Sequence, residues 1–159
     1  MKKFIAYTDG YFDMTTQIGA SACVILDESQ SIILYSHAKA RQCELDPEKK
    51  QRNNEQELGA IIRAVMCLPN GCEVIIFSDS QYSVNVLNGS WQASANLGLI
   101  DRFHEEVRKR HIRVTLRWVR GHDKSKWNNY ADELCNRAAN SLASGGPILL
   151  TSGENKALL

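Results

Sequence analysis

The amino-acid sequence predicts an α/β domain on a five-stranded mixed sheet, three antiparallel strands followed by two parallel ones, flanked by helices in the order βββαβααβα. The first 41 residues hold three runs rich in β-branched and aromatic residues, broken only by short polar stretches. From Leu58 onward, apolar residues at helical spacing alternate with short β-branched runs. The chain has 159 residues, 43% of them hydrophobic and 23% charged, which is enough for one core and too little for two.

Residues 4–13 (FIAYTDGYFD) read as a strand interrupted by the polar Thr8-Asp9-Gly10. Residues 19–27 and 31–41 follow as strands across a polar turn at Glu28–Gln30, and three consecutive antiparallel strands fit best. After a charged stretch around Pro47, Leu58, Ile61, Ile62, Val65 and Leu68 mark an amphipathic helix that Pro69-Asn70-Gly71 stops. Glu73–Phe77 is a short buried strand, and Ser80 is placed to cap a short helix running to about Leu87. Leu97, Ile100, Phe103 and Val107 mark the next helix, which ends in a basic run from Arg108. Val114, Leu116 and Trp118 alternate as in a half-exposed strand, and a loop at 120–128 leads to a last helix carrying Leu134, Ala138 and Leu142. Gly145-Gly146-Pro147 ends it. Residues 1–143 are thus expected to form the domain, and 144–159, which lack periodicity, a flexible tail.

The 19 basic and 18 acidic groups nearly cancel, so bulk charge announces no nucleic-acid partner. Setting four acids aside as site residues leaves 19 basic groups against 14 acidic, so a substrate surface can still be positive. Five cysteines without paired zinc-ligand spacing, odd in number, argue against a secreted disulfide framework and for a reducing cytoplasm. No window is apolar enough to span a bilayer, and no cleavable leader follows Met1.

Four acids stand where a fold has little structural use for them. Asp9 lies within the first strand, Glu57 in the first turns of a helix, Asp79 at the end of a buried strand and Asp132 early in the last helix. Strand ends and helix starts meet at one edge of an α/β sheet, where ligand sites form. Singly, Asp79 reads equally as a helix cap, Glu57 as a first-turn charge and Asp132 as a surface acid; Asp9 is harder to place, because an acid in an apolar strand is costly unless paired or metal-bound. Brought together, such carboxylates need a compensating charge, and oxygen-only donors favour Mg²⁺, with Mn²⁺ as substitute, over zinc. Two such ions suit phosphodiester hydrolysis.

Five ordered segments, Tyr7-Thr8-Asp9-Gly10, Asn53–Leu58, Ser78–Tyr82, Trp118–His122 and Asn128–Asp132, resemble the motifs of the type 1 ribonuclease H family, and the likeness runs from about Phe4 to Ala143. It implies a ribonuclease H-like fold, with Asp9, Glu57, Asp79 and Asp132 as metal ligands by position and Asp9 shared between two ions. It further implies that His122 sits on a mobile loop and assists proton transfer or product release without binding metal. The implied partner is an RNA·DNA hybrid, whose RNA strand a monomeric endonuclease cuts to leave 3′-hydroxyl and 5′-phosphate ends, without base-sequence preference. The backbone at Gly10 and the side chains of Asn53, Asn54, Ser80 and Gln81 are the implied substrate contacts, reading 2′-hydroxyls across the minor groove.

Several positions depart from the family pattern. Tyr11-Phe12-Asp13-Met14 replaces a small-residue turn, and Asp13 is expected to be exposed. Arg52 stands where some members have a phosphate-binding Thr and suits the same task by charge. Asn129 replaces a common acid. The stretch 83–114 is too short for the basic helical insertion of some bacterial members, leaving Trp91 and the Arg108–Arg113 run as partial substitutes; Trp91 reads equally as a tryptophan closing the core. Competing readings are a DNA-directed nuclease of the same superfamily, a non-catalytic hybrid-binding module and a domain detached from a polymerase.

Overall fold

The computed structural model describes residues 1–44, 52–120 and 125–153. Its sheet contains β1 (Lys3–Asp13), β2 (Ile18–Asp27), β3 (Ile33–Gln42), β4 (Glu73–Ser78), β5 (Arg113–Trp118) and β6 (Leu149–Ser152), in the spatial order β5-β4-β1-β2-β3-β6. The helices are α1 (Arg52–Met66), α2 (Gln81–Leu87), α3 (Leu97–Lys109) and α4 (Lys126–Ala143). The α/β class, the three antiparallel strands, the two parallel ones and the element order up to α4 are as expected from sequence. None of these helices is long and apolar enough to cross a membrane.

Alternation along the strands sends their side chains into two cores, one on each face of the sheet. Phe4 and Ala6 of β1 join Cys23 and Ile25 of β2 beneath the apolar stripe of α1, whose Leu58, Ile61, Ile62 and Val65 are all buried. Ile5 and Tyr7 point the other way and join Ala20, Val24 and Leu26 beneath Leu134, Cys135 and Ala138 of α4. Burying each large aliphatic side chain contributes about 1.5–3 kcal/mol, so the two stripes hold α1 and α4 against opposite faces.

A sixth strand corrects the five-strand expectation. Leu149–Ser152 pairs antiparallel with β3 inside the segment expected to be a flexible tail. Its anchors are largely polar and backbone: the Ser36 and Ser152 hydroxyls lie 2.6 Å apart, and Ala40 N–H donates to the Ile148 carbonyl at 2.9 Å. Ile148 and Leu149 remain about half exposed, so no apolar alternation advertises the strand.

The topology opens a site at the middle of the sheet. β4 runs parallel to β1 only as far as the Thr8–Ser78 pair, whereas β2 stays paired with β1 through Asp13. The last residues of β1 are therefore flanked on one side only, and ligand sites form where strand order reverses in this way.

Candidate active site

Asp9 lies one residue past the last β1–β4 pair, and Asp79 directly follows β4, so the end of the parallel pairing places both at the same level. Glu57 enters from α1, which crosses the same face so closely that Gly10 is the only kind of residue that fits opposite it. A Cβ on Gly10 would lie 2.5 Å from the Gln56 carbonyl carbon and 2.6 Å from the Glu57 nitrogen, both backbone atoms. That approach lets the Gly10 N–H donate to Glu57 Oε1 at 3.0 Å.

Carboxylate oxygens of Asp9, Glu57 and Asp79 all lie within 4.8 Å of one another, with Asp9 and Glu57 buried and Asp79 half-buried. Glu57 Oε2 is buried and has no hydrogen-bond partner among the described residues. Burial, then the neighbouring Asp9 and Asp79 charges, push the Glu57 carboxyl well above the usual carboxylate range, against the opposing pull of the Gly10 N–H. An orphaned buried carboxylate oxygen facing two like charges is the donor set of a hard cation, so these side chains fit the divalent metals expected from sequence.

Asp132 is not within the 4.8 Å group. It is half-buried in the second turn of α4, one turn before Cys135, whose Sγ donates to the Asp9 carbonyl at 3.3 Å. Its charge nevertheless bears on the same place. Burial first, then Asp9, Glu57, Asp132 and Asp79 in turn, raise the Cys135 thiol well above its ordinary value, so this neutral side chain lies beneath all four acids. Asp132 thus stands at the rim of a three-carboxylate centre.

The single-residue structural readings resolve differently. Asp79 is not the helix cap; Ser80 is, accepting from Ser83 N–H at 3.1 Å and donating to the Ser83 hydroxyl. Asn53 lies inside α1, and its Oδ1 accepts the Phe12 N–H at 2.6 Å, tying the end of β1 to the helix. Asn54 is half-buried and Gln81 exposed, at the starts of α1 and α2 respectively. Arg52 is buried, donates to the Glu44 carbonyl and stacks over Phe12 at 5.6 Å, so the expected phosphate-binding guanidinium is already engaged within the protein. Asp13, expected to be exposed, is half-buried and accepts from Thr15 and Thr16 N–H. Trp91 is 45% exposed, which removes the core-closing alternative. His122 lies outside the described residues.

Two contributors were given no site role from sequence. Trp118, quoted only as part of a motif and paired with Ser78 across β5 and β4, donates its indole N–H to the Asp79 carbonyl at 3.3 Å. Cys135 had a signal, its spacing of three from Asp132 on one helix face, but its residue type suggests only core.

The RNase H family model matches residues 1–140. Ribonuclease H of Anaeromyxobacter dehalogenans is 31% identical over 156 residues, covering 91% of this chain and 84% of that protein. Ribonuclease H of Francisella tularensis subsp. novicida is 29% identical, covering 86% and 90%. Among solved structures, the N-terminal RNase H domain of a Mycobacterium tuberculosis protein superposes with a TM-score of 0.74 at 20% identity, over 91% of this chain and 99% of that one. RNase H1 of Halobacterium salinarum gives a TM-score of 0.70 at 19% identity, over 87% and 98%. With the family model covering nearly the whole domain and the acids at the edge where β1 and β4 part, this chain belongs to the RNase H family of endoribonucleases.

Proposed function

We propose that this chain hydrolyses the RNA strand of RNA·DNA hybrids at the Asp9, Glu57, Asp79 and Asp132 cluster, leaving 3′-hydroxyl and 5′-phosphate ends. The observation that carries this reading is Glu57, whose carboxylate lies within 4.8 Å of two others and whose Oε2 is buried without a hydrogen-bond partner among the described residues. Asp9, Glu57 and Asp79 would hold divalent metal, Mg²⁺ by the hardness of the donors, with Asp132 completing the site from the rim and Asp9 shared between two ions. Metal held there would supply activation of a water and stabilisation of negative charge at the leaving oxygen. In the overall reaction a water oxygen bonds to phosphorus, the bond from phosphorus to O3′ breaks, and a proton passes to O3′.

The protein's own groups orient this chemistry. The Gly10 N–H fixes the rotamer of Glu57, and Trp118 and Ser80 hold the backbone around Asp79. Asn54 and Gln81, at two helix starts beside the cluster, suit the 2′-hydroxyls of the RNA strand, since an amide both donates and accepts. Asn53 supports them by fixing β1, and Ser80 by capping α2. His122 is assigned the proton at the leaving oxygen. Arg52, held by Glu44 and Phe12, shapes the α1 start where a DNA phosphate would approach. Trp91, exposed after α2, is the candidate surface for stacking on sugar. The protein acts as a monomer in the cytoplasm on this reading.

The test is a panel of labelled RNA·DNA hybrid, duplex DNA and duplex RNA, each with Mg²⁺, Mn²⁺ or EDTA, with product ends analysed. Cleavage confined to the RNA of the hybrid, abolished by EDTA and leaving 5′-phosphates, is the expected result. Hybrid cleavage that persists in EDTA contradicts it, and no cleavage under any condition favours a non-catalytic hybrid-binding module.

A further inference from the structure

A second polar cavity lies on the α1 face of the sheet, beyond Gln56, between α1, α3 and the outer strands β2 and β3. Its volume is about 280 Å³. His37 and Lys39 of β3 form part of its floor, Gln56 and Arg63 of α1 one wall, and Arg102 of α3 another. Arg41 also lines it and pairs with Glu55 at 2.6 Å, while Lys39, Arg63 and Arg102 make no ion pair among the described residues. In a chain whose formal net charge is +1, three uncompensated cations around one small cavity are a concentration of charge.

Two of its lining residues carry orphaned atoms. His37 Nδ1 and Gln56 Nε2 are buried without a hydrogen-bond partner among the described residues, on residues only 7% and 6% exposed. Each such atom costs about 1–3 kcal/mol unless something occupies the space it faces. His37 pairs with Cys23, whereas the Gln56 amide packs over Gly19, four residues back along β2, so the two orphans lie at different ends of the floor. The amide nitrogen is a donor only, and burial, then Arg63 and Lys39, hold the His37 imidazole down to about 4, so that it is neutral and Nδ1 is free to carry its proton.

We propose that this cavity binds a phosphate group, as a site separate from the acid cluster. A tetrahedral oxyanion presents several acceptors in different directions, which suits the orphaned His37 N–H beside Arg63 and Lys39, with Arg102 on the facing wall. The phosphate belongs either to a free anion or nucleotide, or to the backbone of a nucleic-acid strand, and the chemistry is the same.

Calorimetric titration of the full chain with inorganic phosphate, and separately with uridine 5′-monophosphate, at ionic strength held constant with KCl, tests this. Saturable one-site binding is expected, weakened about tenfold by Arg63→Gln or Lys39→Gln, both of which spare the core, and retained in Asp9→Asn. Competition between phosphate and hybrid for Asp9→Asn, read by fluorescence anisotropy, assigns the group to the backbone; its absence with phosphate binding intact assigns it to a free anion. No saturation with either ligand, or affinity unchanged in both Arg63→Gln and Lys39→Gln, overturns the proposal. None of these readouts contains a cleavage step, so their failure is distinguishable from failure of the hydrolytic reading.

Discussion

Glu57→Gln separates what the acid cluster does to stability from what it does to function. Glu57 faces Asp9 and Asp79 with oxygens inside 4.8 Å, and the Gly10 N–H donates to its Oε1. At an effective dielectric of about 20, two unit charges at that separation repel by roughly 3.5 kcal/mol. Part of that is already shed, because the raised Glu57 carboxyl takes up a proton. Glutamine keeps the carbonyl acceptor for Gly10 and puts an amide NH2, a donor to the neighbouring carboxylates, in place of the orphaned Oε2. The metal-free variant should therefore be more stable by about 2 kcal/mol, or roughly 4–8 °C in Tm for a chain of this size.

The sign with pH follows from the direction of the shift. A carboxyl raised in the folded state favours folding below its unfolded value, and that contribution is lost as pH rises through the folded value. In EDTA the gap between variant and wild type should be wider at pH 8 than at pH 5. Saturating Mg²⁺ should reverse the order, since ligand at about a hundred times its Kd stabilises the wild type by about 2.7 kcal/mol and the variant less. Thermal unfolding of both proteins in EDTA and in MgCl₂ measures each quantity. A variant less stable than wild type in EDTA, or equally stabilised by Mg²⁺, refutes the reasoning.

Gly10→Ala should lower stability by about 1–3 kcal/mol, since its Cβ meets α1 backbone that cannot rotate away. Gly59→Ala, in the same helix and with nothing within 4 Å of its Cβ, should raise it by about 0.5–1 kcal/mol, and urea midpoints compare the two. His37 is held down to about 4 by burial, Arg63 and Lys39, so the unfolded chain takes its proton first as pH falls below about 6.5. Stability should drop by up to about 3 kcal/mol between pH 6.5 and 4 on its account, and His37→Gln should lose correspondingly less in urea titrations across that window. Gln81→Ala should raise the KM for hybrid severalfold with the fold intact, and unchanged kinetics remove Gln81 from the substrate surface.

The parts of this protein visible in its sequence are those that a periodic core imposes. The stripe Leu58–Ile61–Ile62–Val65 and the alternation of β1 and β2 are required by burial, and both appear where expected. β6 was invisible because four edge residues held by backbone and a serine pair need no apolar pattern. Among the acids, Asp9, Glu57 and Asp79 converge because strand ends and a helix start fix them, while Asp132 stays at the rim, a distance that spacing along α4 does not encode. Side chains with more than one use were the least legible. Asn53 looks like a substrate amide and is found tying Phe12, and Arg52 looks like a phosphate ligand and is found buried against Glu44. The orphaned His37 and Gln56 lie on different elements, and nothing in either local sequence brings them to one cavity.

The most direct test of the central claim is the single-turnover rate of RNA-strand cleavage by Asp9→Asn on labelled hybrid in Mg²⁺, beside wild type at matched enzyme concentration. Asp9 is buried at the centre of the carboxylate group, so its loss should reduce the rate by at least about a thousandfold while the unfolding midpoint in EDTA is retained or raised. A folded Asp9→Asn protein that cuts hybrid at a rate near wild type would contradict the account.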